Sequence, residues 1–366
     1  MQNSQRAGRG ASGLGTPPRG RRETAIAAGN REGKLMLRPK LVRTVAVAFL
    51  FAALVAVPAA DARELQTVEF FSPAVDRTMK YNVLLPDDYE TSTARYPVLY
   101  LLHGLTQNYT AWGLANGAPF YSGLYGDLIV VMPDVGNSWY VNWAENGDGQ
   151  SNDWEDHVVR DVVSHVDWNF RTVARREGRA MTGLSMGGFG AITMGLRNPE
   201  LFISIGSTSG ALEFGRKAAA RMRGEMPPRA PRELTPEQEA RRRQPNPLIG
   251  IDGFSSQVER TPRGAMFTTP EEADAYDPFK LIAQIPKGDL PHIYLDCGTE
   301  DRLIAGAREL AGYLAEQDIP FNYMQMPGAH NAAYWIEAIG HIMSVQYEVM
   351  QRALGQRPFG RGRATN

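Results

Sequence analysis

The chain has 366 residues, 43% hydrophobic and 22% charged, the balance of an ordinary globular protein built as one large α/β domain or two small ones. Of its 39 basic and 40 acidic residues, 10 and 3 fall in residues 1–62, which leaves 29 and 37 for the body, a net of −8 that argues against nucleic acid as a partner. The single cysteine, Cys297, excludes an intramolecular disulfide and a multi-cysteine zinc site, and it reads as a small buried hydrophobe at a strand end.

In chain order, the first feature is the basic stretch "LRPKLVRT", followed by the apolar run "VAVAFLFAALVAV" and the small residues Ala60 to Ala62. This is the layout of a secretory signal, so residues 36–62 are expected to direct export and Arg63 to open the mature chain. The run is shorter than the roughly 20 apolar residues a spanning helix needs, so no stable membrane insertion is expected after processing. The expected location is secreted or periplasmic. Residues 1–35, rich in Arg, Gly and Ser, make an unusually long preface and are expected to be disordered or untranslated, with Met36 as the start.

Beyond Arg63, strand-like and helix-like runs alternate. "LQTVEFF" and "MKYNVLL" read as opening strands, "YPVLYLLHG" and "DLIVVMPD" as buried central strands, and "WEDHVVRDVVSHVDWNF" as an amphipathic helix capped by Asp153. "RAMTGLS", a helix over Gly187 to Arg197 and "FISIGSTSG" continue the pattern; "PHIYLDCG", "AGARELAGYLAEQ", "FNYMQM" and a helix from Ala332 complete it. Such alternation predicts a mostly parallel central sheet with helices on both faces. Residues 215–278 interrupt it with a proline- and arginine-rich segment that lacks a sustained apolar face. That segment is expected as a surface insertion, either a solvated excursion or a lid at the mouth of a site. Its excess of 9 basic over 4 acidic residues across Arg216 to Arg243 is compatible with acidic substrates or surfaces. Residues 63–354 thus form one domain, and 355–366 a flexible tail.

The most informative stretch is "GRAMTGLSMGGFGAITMG". Gly183-Leu184-Ser185-Met186-Gly187 fits a nucleophile elbow, a strand–serine–helix turn so tight that a Cβ beside the serine would collide with its neighbours. A serine hydroxyl needs a base, and the base needs an acid to fix its tautomer. Of six histidines, only His330 sits in a loop after a late strand, in "PGAHNAAYW", where the order serine, acid, histidine places the base. The acid lies in "YLDCGTEDRL", which offers Asp296, Glu300 and Asp301. Asp301 is preferred because it follows the Gly298-Thr299 turn, with Asp296 second. Oxyanion donors are expected from the N–H groups of Met186, at a helix N-terminus, and of Leu105, after the turn at Gly104.

Together "YPVLYLLHGLTQN", "GLSMGGFGA", "CGTEDRLI" and "PGAHNAAYW" resemble the esterase branch of the α/β-hydrolases. That branch includes S-formylglutathione hydrolase (esterase D), feruloyl and acetyl xylan esterases, tributyrin esterases and mycobacterial mycolyltransferases. The resemblance runs from about Val68 to Leu354 apart from the insertion, and implies an α/β-hydrolase fold with Ser185, Asp301 and His330 as catalytic residues. It implies a serine carboxylesterase acting on a small-molecule or carbohydrate ester, with no cofactor. An acyltransferase passing the acyl group to a sugar hydroxyl is the alternative, and a noncatalytic binding protein the third reading.

Three other stretches carry weaker signals. Glu145 to Asp156 resembles a calcium loop in composition but has Ser151 where the tight-turn glycine belongs and His157 in place of the closing glutamate, so it reads as a surface turn with no metal. "GGFG" after Ser185 is not followed by the lysine of a phosphate loop. The aromatics of "NSWYVNW", Trp139 and Tyr140, together with Trp335, are candidates to grip the substrate.

Overall fold

The computed structural model describes residues 63–147, 149–228, 235–243 and 261–356. The expected extension, the signal segment, part of the insertion and residues 357–366 of the tail lie outside them. Arg63, the first described residue, is buried and tied down: its guanidinium donates to the carbonyls of Leu128 and Tyr125 and pairs with Asp87.

The strands are β1 (Leu65–Ser72), β2 (Arg77–Leu84), β3 (Val98–Leu102), β4 (Ile129–Pro133), β5 (Glu145–Asn146), β6 (Arg179–Leu184), β7 (Ser204–Thr208), β8 (Gly264–Ala265), β9 (His292–Gly298) and β10 (Phe321–Met326). Among the described residues, eight of them form one sheet in the order β1-β2-β4-β3-β6-β7-β9-β10. Only the β1–β2 and β2–β4 pairings are antiparallel; from β4 to β10 every pairing is parallel. This is the α/β-hydrolase arrangement. β3, β4, β6 and β7 are buried at every position because helices cover both faces of the sheet.

Alternation along β3 sorts the core into two layers. Val98, Tyr100 and Leu102 face one cluster, and Leu99 and Leu101 face the other. The helices that follow are α1 (Val163–Asn169), which ends the helical segment 154–169, α2 (Met186–Arg197), α3 (Phe214–Met222), α4 (Pro278–Gln284) and α5 (Ile304–Glu316); all but α3 pack against the first cluster, which Leu212, just before α3, also joins. Against the second packs α6 (Ala332–Ala353), with residues 111–125 beside it. Among the described residues no helix is long and apolar enough to cross a membrane.

Two expectations need correction. Asp153 stands at the N-cap of segment 154–169 but does not cap it: its Oδ2 accepts from Ser151 at 3.0 Å, and the Asn142 side chain takes the N–H of Asp156 at 3.1 Å instead. A cap arriving from twelve or more residues away leaves no local signature. The insertion is also not simply solvated. Its described residues lie outside the main sheet, and near its two ends Phe214, Phe267 and Tyr276 pack with Val141 and Phe189 into a third apolar cluster while β8 pairs with β5. Cys297 is buried at the end of β9 as expected, and burial pushes its thiol up to about 12, which keeps it protonated.

Candidate active site

β6 ends on Leu184, and α2 begins on Met186, leaving Ser185 alone in the turn. Its backbone sits at φ 54° and ψ −112°, a conformation that costs on the order of 1–3 kcal/mol. The surroundings hold it there: the Ser185 N–H donates to the Thr208 carbonyl at 3.0 Å, and its own carbonyl accepts from Ala211 at 3.1 Å. Glycine is compulsory on either side. A Cβ on Gly183 would lie 2.3 Å from the Gly187 carbonyl carbon, and one on Gly187 would lie 2.5 Å from the Leu102 carbonyl oxygen.

The turn presents Ser185 Oγ to His330, which follows β10. The hydroxyl donates to His330 Nε2 at 2.9 Å, and His330 Nδ1 donates to Asp301 Oδ2 at 2.8 Å. Asp301 follows β9 and is fully buried at its side chain, while His330 keeps 18% exposure. Burial pushes the Asp301 carboxyl up, but hydrogen bonds from His330 and the Leu303 N–H outweigh it and hold the group below the ordinary carboxylate range. Glu300, the third acid in the same stretch, has another part. Its side chain accepts from the Gly328 N–H, and its own N–H donates to the Gly328 carbonyl at 3.0 Å, so it buckles together the two loops that carry Asp301 and His330.

The loop after β3 is shaped by two side chains that the sequence reading passed over. The Gly104 N–H donates to Gln107 Oε1 and the Thr106 N–H to Asn137 Oδ1, both at 2.8 Å, with Thr106 at φ 73°. Between these anchored amides the Leu105 N–H meets no acceptor among the described residues, and neither does that of Met186 at the start of α2. Leu105 and Ser185 line the same open cavity, of about 630 Å³.

Residues 72–343 match the protein family described as "Putative esterase". The chain belongs to this esterase family. An esterase of Mycobacterium tuberculosis is 30% identical over 277 residues, which cover 71% of this chain and 54% of that protein; the chain thus spans about half the length of that relative. A diacylglycerol acyltransferase/mycolyltransferase of Mycobacterium leprae is 30% identical over 192 residues, 49% of this chain and 56% of the relative. An S-formylglutathione hydrolase of Agrobacterium tumefaciens shares the fold, with a TM-score of 0.58 over 79% of this chain and 96% of that one at 16% identity.

In this esterase-family chain the other expected site residues separate. Trp139 lines the cavity and stacks on Phe214, their ring centroids 3.6 Å apart and planes at 8°. Trp335 lines it too, edge-on to the His330 ring at 5.2 Å. Tyr140 does not. It is fully buried, its hydroxyl donates to the His103 carbonyl at 2.8 Å, and its ring fills the space beside Gly190, where a Cβ would come within 2.5 Å. Trp139 and Tyr140 both have positive φ, 65° and 60°, and this double twist sends neighbouring rings into different compartments.

Asp296, the second candidate acid, is sealed within the sheet. Its Oδ1 accepts from Tyr334 Oη at 2.9 Å and from the Thr208 hydroxyl, and burial raises its carboxyl to about 6. Asp296→Asn keeps an amide oxygen for both donors, so kcat/KM for a short ester is expected to stay within about tenfold of wild type. The folded pKa is raised, so the wild type loses stability as pH climbs from the unfolded value of about 3.9 towards 6, by roughly 2–3 kcal/mol. Denaturant titrations of Asp296→Asn across that window should show this slope flattened.

Proposed function

We propose that this chain is a serine carboxylesterase that works through an acyl-enzyme on Ser185. The observation that carries the reading is the hydrogen-bonded run from Ser185 through His330 to Asp301, opening on a cavity beside two unengaged backbone N–H groups. Ser185 Oγ attacks the ester carbonyl while His330 Nε2 takes its proton, and Asp301 holds Nδ1–H and offsets the imidazolium charge. The N–H groups of Leu105 and Met186 receive the oxyanion. His330 then protonates the leaving alcohol, and a water activated by the same imidazole releases the acid. The esterase relative supports an ester substrate, and the signal-like segment at 36–62 supports export of the mature chain to the periplasm or medium.

The acyltransferase reading shares every step except the last acceptor and draws on the mycolyltransferase relative. Stopped-flow mixing with p-nitrophenyl acetate should give a burst of p-nitrophenol equal to the enzyme, followed by steady turnover. Added trehalose should leave acetate, rather than acetylated sugar, as the main product. A linear trace that never exceeds the rate in buffer would end the esterase reading.

A further inference from the structure

Four charged residues edge the cavity above Ser185: Lys217, Arg221, Arg302 and Glu213. Phe214, Lys217 and Arg221 are spaced three and four residues apart along α3, so they share the face that helix turns to the cavity. Glu213 is already engaged, with Lys217 at 2.6 Å and Arg216 at 3.3 Å. The two guanidinium groups meet no carboxylate among the described residues. Among the described residues Arg221 donates only to the Lys217 carbonyl at 3.1 Å, and its Nε is buried without an acceptor. Arg302, exposed next to Asp301, meets no carboxylate among them.

With no carboxylate beside them among the described residues, the charges of Arg221 and Arg302 at the cavity edge are left for an anionic group that enters it. A neutral ester offers little to either arginine. A carboxylate offers both a charge and two oxygens that match the guanidinium fork. Building on the reading of Ser185 as the nucleophile, we propose that this site selects esters bearing a second, free carboxylate, held by Arg221 and Arg302 while the Trp139–Phe214 stack flanks the body of the substrate. This makes Arg221 and Arg302 specificity residues, and it gives the first helix of the insertion a role as one wall of the binding site.

The test compares rigid substrate pairs that differ only in that charge. One pair places it on the alcohol side, meta-acetoxybenzoate against meta-acetoxybenzamide; the other places it on the acyl side, the p-nitrophenyl esters of para-carboxybenzoate and para-carbamoylbenzoate. The rings prevent the carboxylate from attacking its own ester. For wild type we expect kcat/KM to favour the charged member of at least one pair by about tenfold, and added salt to shrink that ratio. In Arg221→Gln/Arg302→Gln the ratio should fall to near one. Equal turnover of both members of both pairs, or a ratio unmoved by salt and by the double variant, overturns the proposal. Parallel assays of Ser185→Ala on the neutral esters separate the two readings. Turnover that survives in that variant removes the nucleophile assignment, whereas Ser185-dependent turnover without charge preference removes only the anion proposal.

Discussion

Ser185→Ala is expected to lower kcat for p-nitrophenyl acetate by about 10⁶-fold, to within 10³–10⁴-fold of the reaction in water. The residual rate comes from the Leu105 and Met186 donors and from binding, neither of which the substitution touches. The hydroxyl makes one hydrogen bond, to His330, while the strained backbone is held through the Ser185 amide and carbonyl by Thr208 and Ala211. Alanine preserves those bonds, so the melting temperature should move by no more than about 4 °C. A large loss of activity together with a large loss of stability would mean that the residue serves the fold rather than the chemistry.

Asp301→Asn should come next in size, with a loss of about 10⁴-fold near neutral pH, the scale of the equivalent change in the serine-protease triad. An amide facing His330 Nδ1 can turn its NH₂ towards the ring, fixing the wrong tautomer, and it carries no charge to balance the imidazolium. The Asp301 carboxyl lies below the ordinary carboxylate range, so it stays ionised near neutral pH. The same depressed pKa contributes stability that is present above the unfolded carboxylate value and is lost as pH falls through the folded one. Asp296→Asn, two residues before the Gly298–Thr299 turn, should do little to turnover. The reverse outcome, with Asp296→Asn inactive and Asp301→Asn near wild type, would move the acid to the other carboxylate.

The contrast between those two aspartates shows how far sequence could go. Asp301 was legible because it follows Gly298 and Thr299 at the carboxyl end of a buried strand, where side chains reach over the sheet edge. The nucleophile elbow was legible for a related reason, since only glycine permits a helix to leave a strand so abruptly, and Gly183 and Gly187 announce it. His330 needed only chain order. What escaped was whatever depends on partners remote in sequence. Glu300 bonds the backbone of Gly328, Asn137 bonds that of Thr106, and Asn142 caps a helix twelve residues downstream; none of these leaves a local pattern. Tyr140 failed differently: two successive positive φ values in a loop obey no period, and only packing beside Gly190 decides which ring goes inward. The described part of the insertion lies outside the sheet, and the aromatic residues that bind it to the body, Phe214, Phe267 and Tyr276, are too far apart in sequence to declare a common cluster.

On the proposed mechanism one hydroxyl, Ser185, forms the covalent intermediate. Treating the protein with a fluorophosphonate, quenching, digesting and mapping the adduct by mass spectrometry tests this directly. A single phosphonyl group is expected, attached within the peptide carrying Ser185, with loss of esterase activity in proportion to labelling and no adduct in Ser185→Ala. Stoichiometric labelling at another residue, or full activity in protein labelled at Ser185, would contradict it.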